Sequence, residues 1–340
     1  MFLRKQFWTG MAAAVIMLVL ILDAKTALSG AQTGLNLCIR TVIPSLLPFI
    51  ILSVIINSNF AGYRMSFLRP ISKACGIPSG AESLLLLGIL GGYPVGAQAV
   101  CEAYRNNLIC KQDARRMLGF CNNAGPAFIF GMLGGLFENA TTTWILWAIH
   151  IFSAIVVGCV LPGKSRQYTQ MQKKRAITFT QAIEKSAKTM GFICTWIILF
   201  RILMCILQRW ILWILPDQAQ IWLISLTELS NGCYELYSIT SQGARFIISA
   251  GTLAFGGICV YMQTQSVTGD LHCGLYFPGK LLQSCISILT SLIIQPMLFS
   301  KSELYSASIP FIFAVIVILL TTTVILYRQN SCRFLAANCV

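Results

Sequence analysis

The chain has 340 residues, 56% of them hydrophobic and 11% charged, with a formal net charge of +14 and a mean hydropathy of +0.73. That composition excludes a soluble globular domain and predicts an all-α polytopic membrane protein, because a helix satisfies its own backbone in hydrocarbon. The basic excess does not mark a nucleic-acid binder, since Lys and Arg alternate with apolar runs instead of gathering on one soluble face.

Apolar runs fall at residues 7–22, 42–56, 124–137, 142–161, 191–215, 246–262, 281–299 and 309–327. Each is close to the roughly 20 residues that cross a bilayer, which predicts about eight transmembrane helices. The first run follows Arg4 and Lys5. It is read as an uncleaved anchor, residues 1–27, in preference to a secretory signal, because "ALSGA" at 27–31 makes a poor cleavage site. A first repeat is expected over 28–161, opening with an amphipathic stretch at 28–40. A polar, basic linker, "PGKSRQYTQMQKKRA", occupies 162–176, and a second repeat spans 177–327, with a tail at 328–340. Placing the N-terminus, 64–73, 105–116, 164–188 and Lys301 in the cytoplasm puts 17 of the 25 Lys and Arg there, as the positive-inside rule expects. Residues 138–141 then fall outside.

The two halves look alike. "FTQAIEKSAKTMGFICTWIILF" from 179 is patterned like "GLNLCIRTVIPSLLPFIILS" from 34. "FGGICVYMQTQ" from 255 aligns with "LGGYPVGAQAV" from 90, matching Gly91, Gly92, Val95 and Gln98 to Gly256, Gly257, Val260 and Gln263. With the topology above, the halves would be inverted repeats, an architecture of secondary transporters that bind solutes between broken helices near the bilayer midplane.

Three motifs carry the candidate site. The first is "GILGGYPVGAQAV" at 88–100, where Gly92, Tyr93, Pro94, Gly96 and Gln98 interrupt an apolar segment. Irregular backbone at membrane depth persists only when packed in protein or lining a wet cavity, so the break predicts a re-entrant hairpin; a small-residue packing kink is the alternative. The second is "LGFCNNAGPAFIFG" at 118–131. Pro126 suits a first helical turn and one of Asn122 and Asn123 its cap, which leaves the other amide, near Gly125, free to face a solute. The third is "LTELSNGCYEL" at 226–236, with Glu228 one turn from Asn231. Glu82, in "SGAESLLLLG", is the comparable acid of the first half. A carboxyl buried in a bilayer marks function by default, so both are candidates for coupling H⁺ or Na⁺, with a helix-capping charge as the plain alternative. Gly257 and Gln263 complete the set.

His150 is expected to be a hydrogen-bonded helix contact, and Arg201 to snorkel or pair with an acid across the bundle. The fourteen cysteines form no CxxC pair and no zinc-type spacing, so no metal or other cofactor is expected. No Ser/His/Asp grouping, HExxH, Walker loop or GxSxG is present, so no enzyme is expected.

The motifs "GILGGYPVGAQ", "FCNNAGPAFIFG", "TELSNG" and "FGGICVYMQTQ", in this order, resemble the nucleoside-recognition (Gate) domain membrane proteins of spore-forming bacteria, in particular the YlbJ-type sporulation integral membrane proteins. The resemblance implies a multi-pass protein of the cell membrane, on the forespore or mother-cell side, with a role in cortex assembly. It also implies a distant likeness to concentrative nucleoside transporters, each repeat carrying a re-entrant hairpin. The expected partners are a small polar solute, nucleoside-like in kind, H⁺ or Na⁺, the lipid bilayer and a second copy of the chain. A non-transporting scaffold of the forespore membranes is the alternative function.

Overall fold

The computed structural model describes residues 2–60, 63–161 and 177–299, and no strand occurs among them. The linker 162–176, the run 309–327, Lys301 and the tail 328–340 lie outside the described residues. The first half contains α1 (Phe2–Leu22) and α2 (Ala24–Leu37), which passes through a π-helical turn (Cys38–Val42) into α3 (Ile43–Phe60). Then come the short α4 (Arg69–Ala74), α5 (Glu82–Leu90), α6 (Val95–Arg105) and α7 (Lys111–Met117). α8 (Pro126–Phe128) continues as a π-helical turn (Ile129–Leu133), and α9 (Ala140–Val160) closes the half. The second half contains α10 (Phe179–Trp210), α11 (Asp217–Thr227), α12 (Leu229–Glu235), α13 (Gln242–Phe255), α14 (Gly257–Thr268) and α15 (Tyr276–Leu298).

Five helical stretches among the described residues are long and apolar enough to cross a membrane: Ala24–Phe60, Ala140–Val160, Phe179–Trp210, Gln242–Thr268 and Tyr276–Leu298. Gly10–Leu22 is a shorter apolar helix. The protein is thus all-α and multi-pass. The large apolar side chains on its outside, such as Phe7, Leu22, Ile293 and Met297, suit lipid in place of water.

Two sequence expectations change. Residues 124–137 are not a crossing, because α8 and its π-turn together run only from Pro126 to Leu133 before Gly134 and Gly135. Eight residues at about 1.5 Å each give roughly 12 Å, under half of a bilayer core. The stretch 28–40 is not a separate amphipathic segment either. It is continuous with α3 in one 37-residue helical unit, which packs along α10.

Local signals explain the starts. Thr178 and Gln181 form a reciprocal capping box on α10. Asn139 caps α9 through Thr141 N, and Ser241 caps α13 through Ala244 N.

One end of the bundle is basic. There Lys185 pairs with Glu102, Asn57 donates to Glu102 at 2.9 Å, Arg105 donates to the Val267 carbonyl at 3.1 Å, and Leu275 N meets the Arg115 carbonyl at 2.8 Å. At the other end Trp210 donates to Asp23 at 3.0 Å and Arg245 donates to the Leu136 carbonyl at 3.0 Å. α15 begins at the basic end and finishes at the other, where Phe299 packs on Phe246 at 5.8 Å. The grouping of Lys301 with the cytoplasmic basic residues falls outside the described residues.

The element order repeats between halves, with a pairing unlike the one the glycine alignment suggests. Each half has a long helix (α3, α10), a helix–break–helix hairpin (α5–α6, α11–α12), a broken helix (α7–α8, α13–α14) and a closing helix (α9, α15). By this order the Gly91–Pro94 break corresponds to the Glu228 break, and the 121–125 segment corresponds to Gly256. The contacts agree. A Cβ on Gly92 would stand 3.3 Å from Gly125 N, and one on Gly257 would stand 3.3 Å from Glu228 N. In each half the hairpin break touches the broken helix.

Candidate functional site

The first break is held by close backbone approach. A Cβ on Gly88 would come within 2.4 Å of the Cys121 carbonyl oxygen, and one on Gly96 within 2.1 Å, so α5 and α6 clamp that peptide between two glycines. Gly92 has φ +78°, a conformation that disfavours any side chain. Tyr93 donates its hydroxyl to the Leu253 carbonyl at 3.1 Å and stacks its ring beneath Gly256, which has φ +80°. Pro94 is the residue before α6.

The unwound segment 121–125 leaves backbone groups that need partners. Asn122 and Asn123 supply them, and neither caps α8, whose preceding residue is Gly125. Asn122 accepts from Ala97 N at 3.1 Å, capping α6 from across the fold, and donates to Thr264 of α14 at 3.1 Å. Asn123 donates to the Gly88 carbonyl at 3.1 Å and the Phe120 carbonyl at 2.7 Å. His150 accepts from Ala124 N at 3.1 Å, the helix contact expected of it. The solute-facing amide expected here is therefore engaged inside the protein.

What locks this segment is a residue the sequence reading passed over. Lys280 is fully buried and donates to Asn123 Oδ1 at 2.9 Å and to Gln283 Oε1 at 2.6 Å, with its Nζ 5.3 Å from the centre of the Tyr93 ring. No carboxylate pairs with it among the described residues. Gln283 also donates to Asn123 Oδ1 at 3.0 Å and to the His150 carbonyl at 3.3 Å. A signal was there: Lys280, Gln283, Ser284, Ser287, Ser291 and Gln295 recur at three- and four-residue steps, and all are buried. That polar stripe on an otherwise apolar helix marks the face turned to α9 and α13.

The second break is Glu228. It is extended, with φ −144° and ψ 123°, buried, and it caps α12 by accepting from Ser230 N at 3.0 Å and Asn231 N at 2.6 Å. Capping and burial thus coincide in one carboxyl, which makes no ion pair among the described residues. Arg201 pairs instead with Glu235, at 2.8 Å, and lies 5.7 Å from the Tyr234 ring. Glu82 is also buried, but it accepts from Gly80 N at 2.8 Å and from Arg69 at 3.2 Å, away from the second break. Gln98 donates to Thr189 at 3.4 Å, and Gln263 lies 3.3 Å from Cys259 Sγ.

The two breaks meet at a small cavity of about 30 Å³ lined by Tyr93, Gly125, Glu228, Ser230 and Gln263 among apolar side chains. It is room for a single water. A second cavity, of about 590 Å³, opens beside α12 between the two π-helical turns, with Arg40, Arg201, Asn231, Tyr234 and Tyr237 in its wall. The structure therefore brings Tyr93, Gly125, Glu228 and Gln263 together, sets Asn231 on the larger cavity, and leaves Gln98 and Glu82 apart. Gly92, Pro94, Gly96 and Gly257 shape the backbone around them.

The chain is 31% identical over 162 residues to the "Sporulation integral membrane protein YlbJ" of Bacillus subtilis (strain 168), a stretch covering 46% of this chain and 39% of that relative. The alignment thus takes in about two fifths of the curated relative's length. No protein-family model matches the chain. No solved structure matches it. The chain is a multi-pass, all-α membrane protein of YlbJ-like sequence, similar over that stretch to a sporulation integral membrane protein.

Proposed function

We propose that the protein is a secondary transporter that moves a small polar solute across the cell membrane during spore formation, through the interface between two inverted repeats. The observation that carries this reading is the meeting of the two hairpin breaks around Tyr93, Gly125, Glu228, Ser230 and Gln263. Broken helices facing each other across a repeat interface are the recurrent device of such carriers. The repeated element order and the paired contacts Gly92 on Gly125 and Gly257 on Glu228 support the repeat. The relative's name supports the link to sporulation. Glu228 is the group we assign to coupling with H⁺ or Na⁺, because it is a buried carboxyl on that cavity with no basic partner among the described residues.

A non-transporting scaffold is the second reading, favoured by the saturation of Asn122 and Asn123 within the protein. Glu228→Gln separates them. The amide keeps one cap acceptor and the volume, so the protein should accumulate at the normal level. In a spore-forming host that carries only this variant, heat-resistant spores should fall sharply. Normal protein with normal spore yield would remove the carboxyl, and with it the main support for transport.

A further inference from the structure

The second arm of each hairpin carries the same pair of side chains. On α6 they are Gln98 and Glu102, and on α12 they are Asn231 and Glu235, in each case an amide and an acid one helical turn apart. The long helices carry a base at one shared place in their patterns. Counted from Phe179 and from Gly34, Lys185 and Arg40 are both the seventh residue. The repeat thus supplies two copies of one contact, a hairpin arm bearing amide and acid set against a base from the other half.

Only one copy is closed. Between α6 and α10, Lys185 pairs with Glu102, which also accepts from Asn57, and one turn deeper Gln98 donates to Thr189 at 3.4 Å. Between α12 and the π-helical turn that bears Arg40, the cavity of about 590 Å³ intervenes. There Asn231 Nδ2 is buried without a hydrogen-bond partner, and Glu235 turns to Arg201 of its own half at 2.8 Å. Arg40 makes no ion pair among the described residues. The two copies also lie at different depths. Arg40 and Asn57, which marks the level of Glu102, stand about 25 Å apart along one continuous helical unit, most of a hydrocarbon core.

We propose that these two contacts are the gates of the carrier, Lys185–Glu102 on the basic side and Arg40–Glu235 on the opposite side, each closing as the other opens. The structure is then the state shut on the basic side. In the other state Glu235 exchanges Arg201 for Arg40, Asn231 gains a partner across the closed cavity, and Lys185 and Glu102 part. Partly exposed ion pairs suit this task, because each contributes at most about 1 kcal/mol and two states so balanced interconvert readily. The assignment rests on the transport reading and names the side chains that control access to its site.

The test uses the full chain in sealed proteoliposomes of known orientation, with Ser230→Cys as reporter and a membrane-impermeant maleimide added from one side at a time. Glu102→Gln should raise the ratio of basic-side to opposite-side labelling about two- to fivefold, and Arg40→Gln should lower it by a similar factor. Lys185→Gln should follow Glu102→Gln, and the exchange of Lys185→Glu with Glu102→Lys should return the ratio toward that of the parent. Arg40 is exposed and unpaired in the state described, so a merely structural role predicts no change when its charge is removed. A ratio unmoved by Arg40→Gln, or moved in one direction by both variants, would overturn the paired gates. So would labelling raised equally from both sides, the mark of a loosened fold. A parent labelled from both sides whose ratio ignores these variants keeps the carrier and loses the gates; a parent labelled from neither side loses both.

Discussion

The hairpin break of the first half and that of the second occupy equivalent places in the element order, yet they are finished in different ways. At Gly91–Pro94 every loose end is tied: the Cys121 carbonyl is gripped between Gly88 and Gly96, two asparagines fill the unwound backbone, and Lys280 seals the asparagine from behind. At Glu228 the cap is a single carboxyl, and one turn later Asn231 keeps an unused donor on the wall of an open cavity. One break is a fixed post and the other borders empty space. On the transport reading, chemistry is expected beside the second and rigidity at the first.

The largest effect that would break this contrast is steric. Gly96→Val places carbon on the Cys121 carbonyl and should cost at least about 4 kcal/mol, seen as loss of folded protein in detergent. Gly10→Leu, with nothing within 4 Å, should change nothing measurable. Equal tolerance at the two positions would mean that the clamp is not tight.

Next comes the seal. Lys280→Ala removes a buried stem and leaves Gln283 Oε1 without its donor, for an expected loss of about 2–4 kcal/mol in thermal or denaturant unfolding. A loss near zero would show that the first break needs no lock.

How much of this was legible in the sequence follows from the range of each interaction. Glycines, Pro94, the paired asparagines and Glu228 announce broken helices because turn and cap chemistry is local, and the positions of the breaks could be read directly. The asparagines' partners could not. Asn122 reaches Thr264 and Asn123 reaches Lys280, 142 and 157 residues away, and no local rule distinguishes a cap on the next helix from one across the bundle. The glycine alignment of the halves departs from the element order for a related reason. Matching Gly91-Gly92 to Gly256-Gly257 pairs residues by type alone, since Gly91 has φ −76° and Gly256 φ +80°, whereas the contacts place Gly92 on Gly125 and Gly257 on Glu228. Arg201 was expected to find an acid, and Glu235, one turn beyond Asn231, is nearer to hand than Glu228.

That pairing gives a smaller, sharper test. Arg201→Gln and Glu235→Gln should show a coupling of about 1 kcal/mol in a double-mutant cycle, modest because both side chains are partly exposed. Arg201 and Glu228 should show less. A similarly small stability effect is expected at the Glu228 cap itself, where Glu228→Gln should cost about 1 kcal/mol while its functional effect is large.

The claim at the centre is that the interface of the two breaks opens alternately to the two sides of the membrane. Ser230 is buried on its cavity, so a cysteine placed there, in a chain whose exposed native cysteines are replaced, reports directly on access. In sealed proteoliposomes of known orientation, a membrane-impermeant maleimide should label Ser230→Cys slowly from either side. Labelling from neither side, or from one side only under all conditions, would contradict alternating access and leave a static scaffold.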